Sequence, residues 1–253
     1  MGPNSTEIKV RTETILYTAL KYCDRKLYGI PDVLAGKNIS DFPAVENAAL
    51  DDLMENSCAT MDFNGKITID EDYINSIREC IKCNEIVTID IKRPGGTQDH
   101  MTVYYMGENE ECVVLKSMDG VFAGVCGIYS ATLEELMKQV EVLVDAKGSD
   151  TVLQEEYSVQ SKVVQCGNTD RMHECGCDKS AIEVISGISN GRSTALVVRK
   201  VRGGSEASFY SAVWCSAGSM EMKVEYSEFK ELIVFKHVSK STIMKNINRV
   251  LVA

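Results

Sequence analysis

The chain has 253 residues, 44% hydrophobic and 25% charged, enough apolar material for one large core or two modules of ordinary size. Its formal net charge of −10, with no basic stripe interleaved with aromatics, argues against a nucleic-acid or anionic-membrane surface, because phosphates would repel it. No apolar run reaches the about 18 residues that a membrane span needs.

Residues 1–6 read as a flexible leader, without the charged, apolar and small-residue regions of a signal peptide, and the expected compartment is the cytoplasm. Thr12 to Cys23 places Ile15, Leu16, Ala19 and Leu20 at helical spacing, with Thr12 or Thr14 as a cap. Asp41-Phe42-Pro43 starts a second helix, with proline in the first turn where its missing N–H costs least. Met61 to Ile69 reads as a hairpin around Asn64-Gly65, a type I′ turn signal. Asp70 caps a third helix that runs to Cys83.

The densest pattern follows, from Glu85 to Val144. Ile86 to Ile91, Met101 to Met106, Cys112 to Lys116 and Val121 to Tyr129 read as strands. Pro94-Gly95-Gly96, Gly107-Glu108-Asn109 and Asp119-Gly120 are the turns between them, and Ser130 starts a helix. Short turns between close strands predict an antiparallel sheet, since parallel strands need long crossovers. The class is α+β.

Asp145 to Asp150 reads as the boundary between modules 7–147 and 148–253. Thr151 to Val164 fits neither period, and Gln165 to Lys179 reads as a polar loop. Strands resume with Ile182, Val184 and Ile185, turn at Asn190-Gly191, and continue through Thr194–Val201, Ala207–Cys215, Met220–Tyr226 and Leu232–Val238. Ser239 or Ser241 caps a last helix, Thr242 to Val252.

The second half thus echoes the first. Gly203-Gly204 answers Gly95-Gly96, and Ser239 answers Ser130. Residue identity between the halves is slight, so this is a repeat of pattern. Two pseudo-repeated modules, each an antiparallel sheet packed with helices, are expected. Two unrelated copies of a common arrangement would read the same way.

Candidate chemistry is sparse. Cys80 and Cys83 form a Cys-x-x-Cys at a helix end, where the dipole has the wrong sign to activate a thiol. Cys166, His173, Cys175 and Cys177 are four soft donors in one polar stretch, a set zinc accepts, although the spacing differs from a knuckle. His100 reads as part of a turn and His237 as part of an alternating strand. No phosphate loop is present, and the glycine pairs lack the strand-to-helix context of dinucleotide binding. Ten cysteines, several inside apolar runs, read as reduced thiols that behave as small hydrophobes. Met220 and Met222 with Phe209, Tyr210 and Trp214 read as core, or alternatively as a partner-binding face.

Taken in order, these elements resemble the cytosolic EspG-like chaperones and targeting factors of type VII secretion. The resemblance is carried by the Thr12–Cys23 helix, the helix with Asn47-Ala48-Ala49-Leu50-Asp51-Asp52-Leu53, the Asn64-Gly65-Lys66-Ile67 hairpin, the Asp70-started helix leading into strands, and the strand pair ending in Trp214 with its closing helix. It implies two related α+β halves and no catalytic residue. It implies partners as well: a helical secreted effector or helical-hairpin substrate protein, and the membrane ATPase of the secretion machine. The resemblance assigns no catalytic, cofactor-binding or metal residue, and it leaves the partner-binding face unknown. A zinc- or thiol-linked module using Cys166 to Cys177, and an enzyme whose site is assembled from distant residues, are the alternatives.

Overall fold

The computed structural model describes residues 7–25, 27–105, 111–117, 124–146, 156–227 and 230–252. The leader, the Gly107-Glu108-Asn109 and Asp119-Gly120 turns and the 147/148 module boundary lie outside the described residues. Contacts divide the chain into two units. The first runs to Thr88 and takes in Asp99–Leu136 and Arg202–Gly204; the second takes in Ile89–Gln98, Met137–Val201 and the chain from Ser205 on.

In chain order the elements are β1 (Ile8–Arg11), α1 (Thr12–Cys23), α2 (Phe42–Glu55), β2 (Ala59–Met61), β3 (Ile67–Ile69), α3 (Glu71–Lys82), β4 (Glu85–Lys92), β5 (Gln98–Tyr105), β6 (Glu111–Ser117), β7 (Val125–Thr132) and α4 (Leu133–Leu143). There follow β8 (Glu156–Gln160), α5 (Ser161–Cys166), α6 (Thr169–Glu174), α7 (Lys179–Ser189), β9 (Thr194–Arg202), β10 (Ser205–Cys215), β11 (Gly218–Ser227), β12 (Lys230–His237) and α8 (Lys240–Val252). The fold is α+β, and among the described residues β2 and β3 pair apart from the other ten strands. The first unit orders its strands β1-β7-β6-β5-β4, and the second orders its own β9-β10-β11-β12-β8.

The expected repeat is visible as topology. Apart from the β2–β3 hairpin between α2 and α3, which the second half lacks, each half runs edge strand, three helices, four-strand meander, helix. In each, the edge strand pairs antiparallel with the last strand of the meander, Ile8 opposite Ile128 and Val159 opposite Ile233. Gly95, Gly96, Gly203 and Gly204 all take positive φ, between 57° and 87°, which a side chain would disfavour.

Several local expectations hold. Asp70 accepts from the N–H groups of Asp72 and Tyr73 at the start of α3. Ser239 Oγ accepts from Thr242 N at 3.2 Å at the start of α8. Others change. The cap of α4 is Thr132, not Ser130, which lies in β7. Thr132 Oγ1 accepts from Glu135 N at 3.2 Å while Glu135 Oε2 accepts from Thr132 N at 2.9 Å, a reciprocal capping box. Neither Thr12 nor Thr14 caps α1; Arg11 holds the cap position without a side-chain bond. The Asn64-Gly65 hairpin exists, but only Gly65 has positive φ, so its turn is a five-residue loop and not type I′.

The largest corrections fall in the second unit. Ile182, Val184 and Ile185 belong to α7, not to a strand, and Asn190-Gly191 joins that helix to β9. A short continuous apolar run has no period of its own. Here Asp178 decides for helix by accepting from Ala181 N at 2.7 Å. The Gln165 to Lys179 stretch is not a loop: α5 ends within it and α6 fills its middle, capped by Asn168.

The first core gathers Val10, Ile15, Leu53, Tyr73, Ile77, Tyr104, Leu115 and Ile128, all buried. Asp52, a buried carboxylate on α2, ties this core to the start of the chain. It accepts from Arg11 N at 2.8 Å and from the Thr14 hydroxyl at 2.5 Å. The Asp52→Ala variant leaves both donors without their acceptor, and a loss of about 2–4 kcal/mol is expected from urea unfolding, with Asp52→Asn losing less.

Candidate binding surface

The second unit presents more sheet than its helices can cover. A strand rises about 3.3 Å per residue and a helix about 1.5 Å. β10 has 11 residues and β11 has 10, whereas α5, α6 and α7 have 6, 6 and 11. In the first unit the ratio is reversed: α1, α2 and α3 have 12, 14 and 12 residues over β5 and β6 of 8 and 7. On the roofed side there, Tyr104, Val113 and Leu115 are fully buried.

Strand alternation shows which residues the short roof leaves open. Val213 and Met220 sit opposite one another in the β10–β11 pair, and both are buried with Ala181, Ile185 and Phe235 in the second core. Counting in twos along β10 brings Phe209 to that same face, and along β11 it brings Met222, Val224 and Tyr226. Cross-strand rows record the edge of the roof. Met222 is opposite Phe235, which is opposite Tyr157, and only Met222 is partly open. One row further out, Val224 is 49% exposed beside half-buried Ile233 and buried Val159. In the next row Tyr226 is 80% exposed opposite Glu231. Phe209 is 43% exposed, with the Arg199 guanidinium 5.9 Å from its ring centroid. Single exposed apolar residues are ordinary; a run of them on one sheet face, continuous with the core, marks an interaction surface.

Of the residues read as core or partner face, Tyr210, Trp214 and Met220 are buried and belong to the core, while Phe209 and Met222 lie on the open face. Val224 and Tyr226 are the residues that sequence reasoning passed over. Their signal is the strict alternation of Met220, Met222, Val224 and Tyr226 with polar residues, prolonged beyond the reach of the helices.

Cys166 and Cys175 are exposed and Cys177 is buried. His173 lies on the exposed side of α6, and no group of three or more metal-ligating side chains forms among the described residues. Burial, with Cys175 nearby, pushes the Cys177 thiol up to about 11. Cys80 is buried inside α3 and its thiol is also raised by burial. Cys83 donates to the Tyr105 carbonyl at 2.7 Å and is pushed up to about 11 by burial and Glu79. These thiols are poor nucleophiles at neutral pH.

His100 lies in β5, not in a turn, with Nε2 3.2 Å from Thr102 Oγ1. His237 lies in β12, its Nε2 3.3 Å from Asp178 Oδ2 and its ring edge-on to Tyr157. Tyr157 donates to the same carboxylate at 3.1 Å. One side chain, Asp178, therefore caps α7 and fastens β8 and β12. A polar cavity of about 590 Å³ in the second unit includes Arg93, Asp145, Arg192 and Trp214. Its charged groups are partly spent on one another: Trp214 Nε1 donates to Asp145 at 2.8 Å, and Arg93 lies 3.7 Å from that carboxylate.

Burial pushes the Asp178 carboxyl up, but the Ala181 N–H, the Tyr157 hydroxyl and His237 outweigh it and hold it below the usual carboxylate value. A depressed carboxylate stabilises the fold above the unfolded value of about 3.9 and stops doing so as pH falls through the folded value. Asp178→Asn keeps the cap and removes the charge. Its deficit in urea midpoint relative to the wild type is expected to shrink as pH drops below about 3.9. In a separate assay, native alkylation followed by peptide mapping is expected to modify Cys166 and Cys175 before Cys80, Cys83 and Cys177.

No protein family matches the chain by sequence, and no curated protein matches it. Its fold is similar to that of the Mycobacterium tuberculosis type VII secretion system chaperone EspG5, solved in complex with the PE25-PPE41 dimer. The TM-score is 0.61 at 12% sequence identity, with 97% of this chain and 96% of that chain covered. No helix among the described residues is long and apolar enough to cross a membrane.

Proposed function

We propose that this protein is a non-enzymatic chaperone of a secretion system, which holds the apolar end of a helical client on the open sheet face of its second unit. The observation that carries the reading is the continuous apolar strip of Phe209, Met222, Val224 and Tyr226, which the short α5–α7 roof leaves in solvent. A chaperone needs such a surface, one that binds by apolar contact and shape without changing the client. The fold-level likeness to a type VII secretion chaperone supports the assignment over an enzyme.

The client is a secreted effector with a helical or helical-hairpin end. An amphipathic helix laid on a flat strip meets side chains at alternate strand positions, the helix-in-groove mode of recognition. Standard interfaces bury about 800 Å² per partner, an area that one helical tip supplies. The site of action is the cytoplasm, and the destination is the membrane ATPase of the secretion machine.

Affinity capture from the native host, with mass spectrometry, tests this reading. A helical secreted protein is expected with the wild type and is expected to be lost with Phe209→Asp or Tyr226→Asp. Each variant is expected to weaken client binding by about tenfold or more, as anchor residues do, and Tyr226→Asp is expected to keep its thermal midpoint because that side chain is 80% exposed. Equal capture by wild type and both variants removes the sheet face from the assignment.

A further inference from the structure

The first unit carries a second, independent recognition element, the β2–β3 hairpin. Ala59 is paired with Ile69 and Met61 with Ile67, so all four side chains lie on one face. Ala59 and Ile69 are buried in the first core. The same face then leaves the core: Met61 is 53% exposed, and Phe63 in the turn beyond it is 97% exposed. A bare phenylalanine at a hairpin tip contributes nothing to the stability of its own fold.

The loop that presents Phe63 is held in shape. Asp62 Oδ1 accepts from the N–H groups of Asn64 and Lys66, each at 2.9 Å. The Asp62 carbonyl accepts from Gly65 N at 3.0 Å, and Asp62 N donates to the Lys66 carbonyl at 3.0 Å. Gly65 supplies the positive φ, 77°, that closes the turn. An aromatic fixed before contact loses little conformational freedom on binding.

Charge defines what the tip can meet. Residues 51 to 72 hold seven carboxylates and one cation, Lys66. Asp52 is buried and Asp70 is used as a cap, while Glu71 pairs with Arg78. Asp51, Glu55, Asp62 and Asp72 are exposed, and none of them forms a salt bridge among the described residues. Exposed carboxylates flanking the hairpin in the chain repel anionic phospholipid headgroups and a second copy of the same hairpin. They attract lysines and arginines.

The geometry points to the β2–β3 hairpin as a docking finger for a basic protein surface, with Phe63 entering an apolar slot and Asp51, Glu55, Asp62 and Asp72 meeting the cationic rim. This partner is distinct from the client of the sheet face. The finger steers and anchors at once: long-range attraction brings the partner in, and one desolvated ring sets the off-rate.

The test uses the whole chain and a labelled helical peptide with leucines along one side flanked by lysines, read by fluorescence anisotropy. Its leucine–glutamate counterpart and neutral lipid vesicles are the competing probes. The wild type is expected to bind the lysine peptide, more weakly as salt rises. Phe63→Ser is expected to weaken it by about tenfold or more with an unchanged thermal midpoint, and Met61→Ser by less. Phe209→Asp reports any share of the peptide held by the sheet face. The proposal is overturned if Phe63→Ser binds as the wild type does, or if the glutamate peptide or the vesicles bind equally well. If Phe209→Asp alone abolishes binding, the peptide sits on the sheet face; the finger then fails and the chaperone reading stands.

Discussion

The mismatch between helix rise and strand rise governs this protein. A residue in a strand advances more than twice as far as a residue in a helix. Apart from the β2–β3 hairpin of the first, both halves use the same order of elements, yet they distribute length in opposite ways. Three long helices over short strands close the first unit's roofed face, and three short ones over long strands leave the second unit's face half open. Nothing else need differ for one copy to be a scaffold and the other a surface. The open strip is no separate insertion; it is the outer end of rows whose inner ends, Val159 and Phe235, are core.

Around that constraint the polar residues are spent on joining elements. Asp52 fastens the first helices to the start of the chain, and Asp178 fastens α7 to the two strands at its sheet's edge. Each does so with one carboxylate serving several donors, which satisfies more backbone and hydroxyl groups than charge pairing with a single cation. The histidine and thiol groups that invite a catalytic reading are drawn into this same work. His237 leans on Asp178, and Cys83 donates to a backbone carbonyl.

How much the sequence disclosed depended on whether the deciding force was local. Asp70, Ser239 and Gly203-Gly204 act within a few residues of themselves, and their helix starts and turn were legible. Ile182, Val184 and Ile185 were not, because three apolar residues in so short a run satisfy either period, and the partner that selects a helix, Asp178, lay in a stretch rich in loop-forming residues. The edge strands β1 and β8 were missed or left ambiguous for another reason. At four and five residues they are too short to show alternation, and their identity comes from neighbours far along the chain. The open face was half visible. Alternation along β11 declared Val224 and Tyr226 to be inward-facing, and only the lengths of α5, in a stretch that fits neither period, and of α6, read as loop, could show that no roof reaches them.

The pairing of each edge strand also bears on how the chain is made. Ile8 leaves the ribosome long before Ile128, its partner in the ladder, and Tyr157 well before Phe235. Neither half can close its sheet until its own last strand has emerged, so each folds as a late-closing loop of high contact order. Until then the early edge strand of each half, β1 or β8, lacks its partner and is open to any extended segment nearby. The chain thus passes through a period of exposed strand edges during synthesis, once for each half.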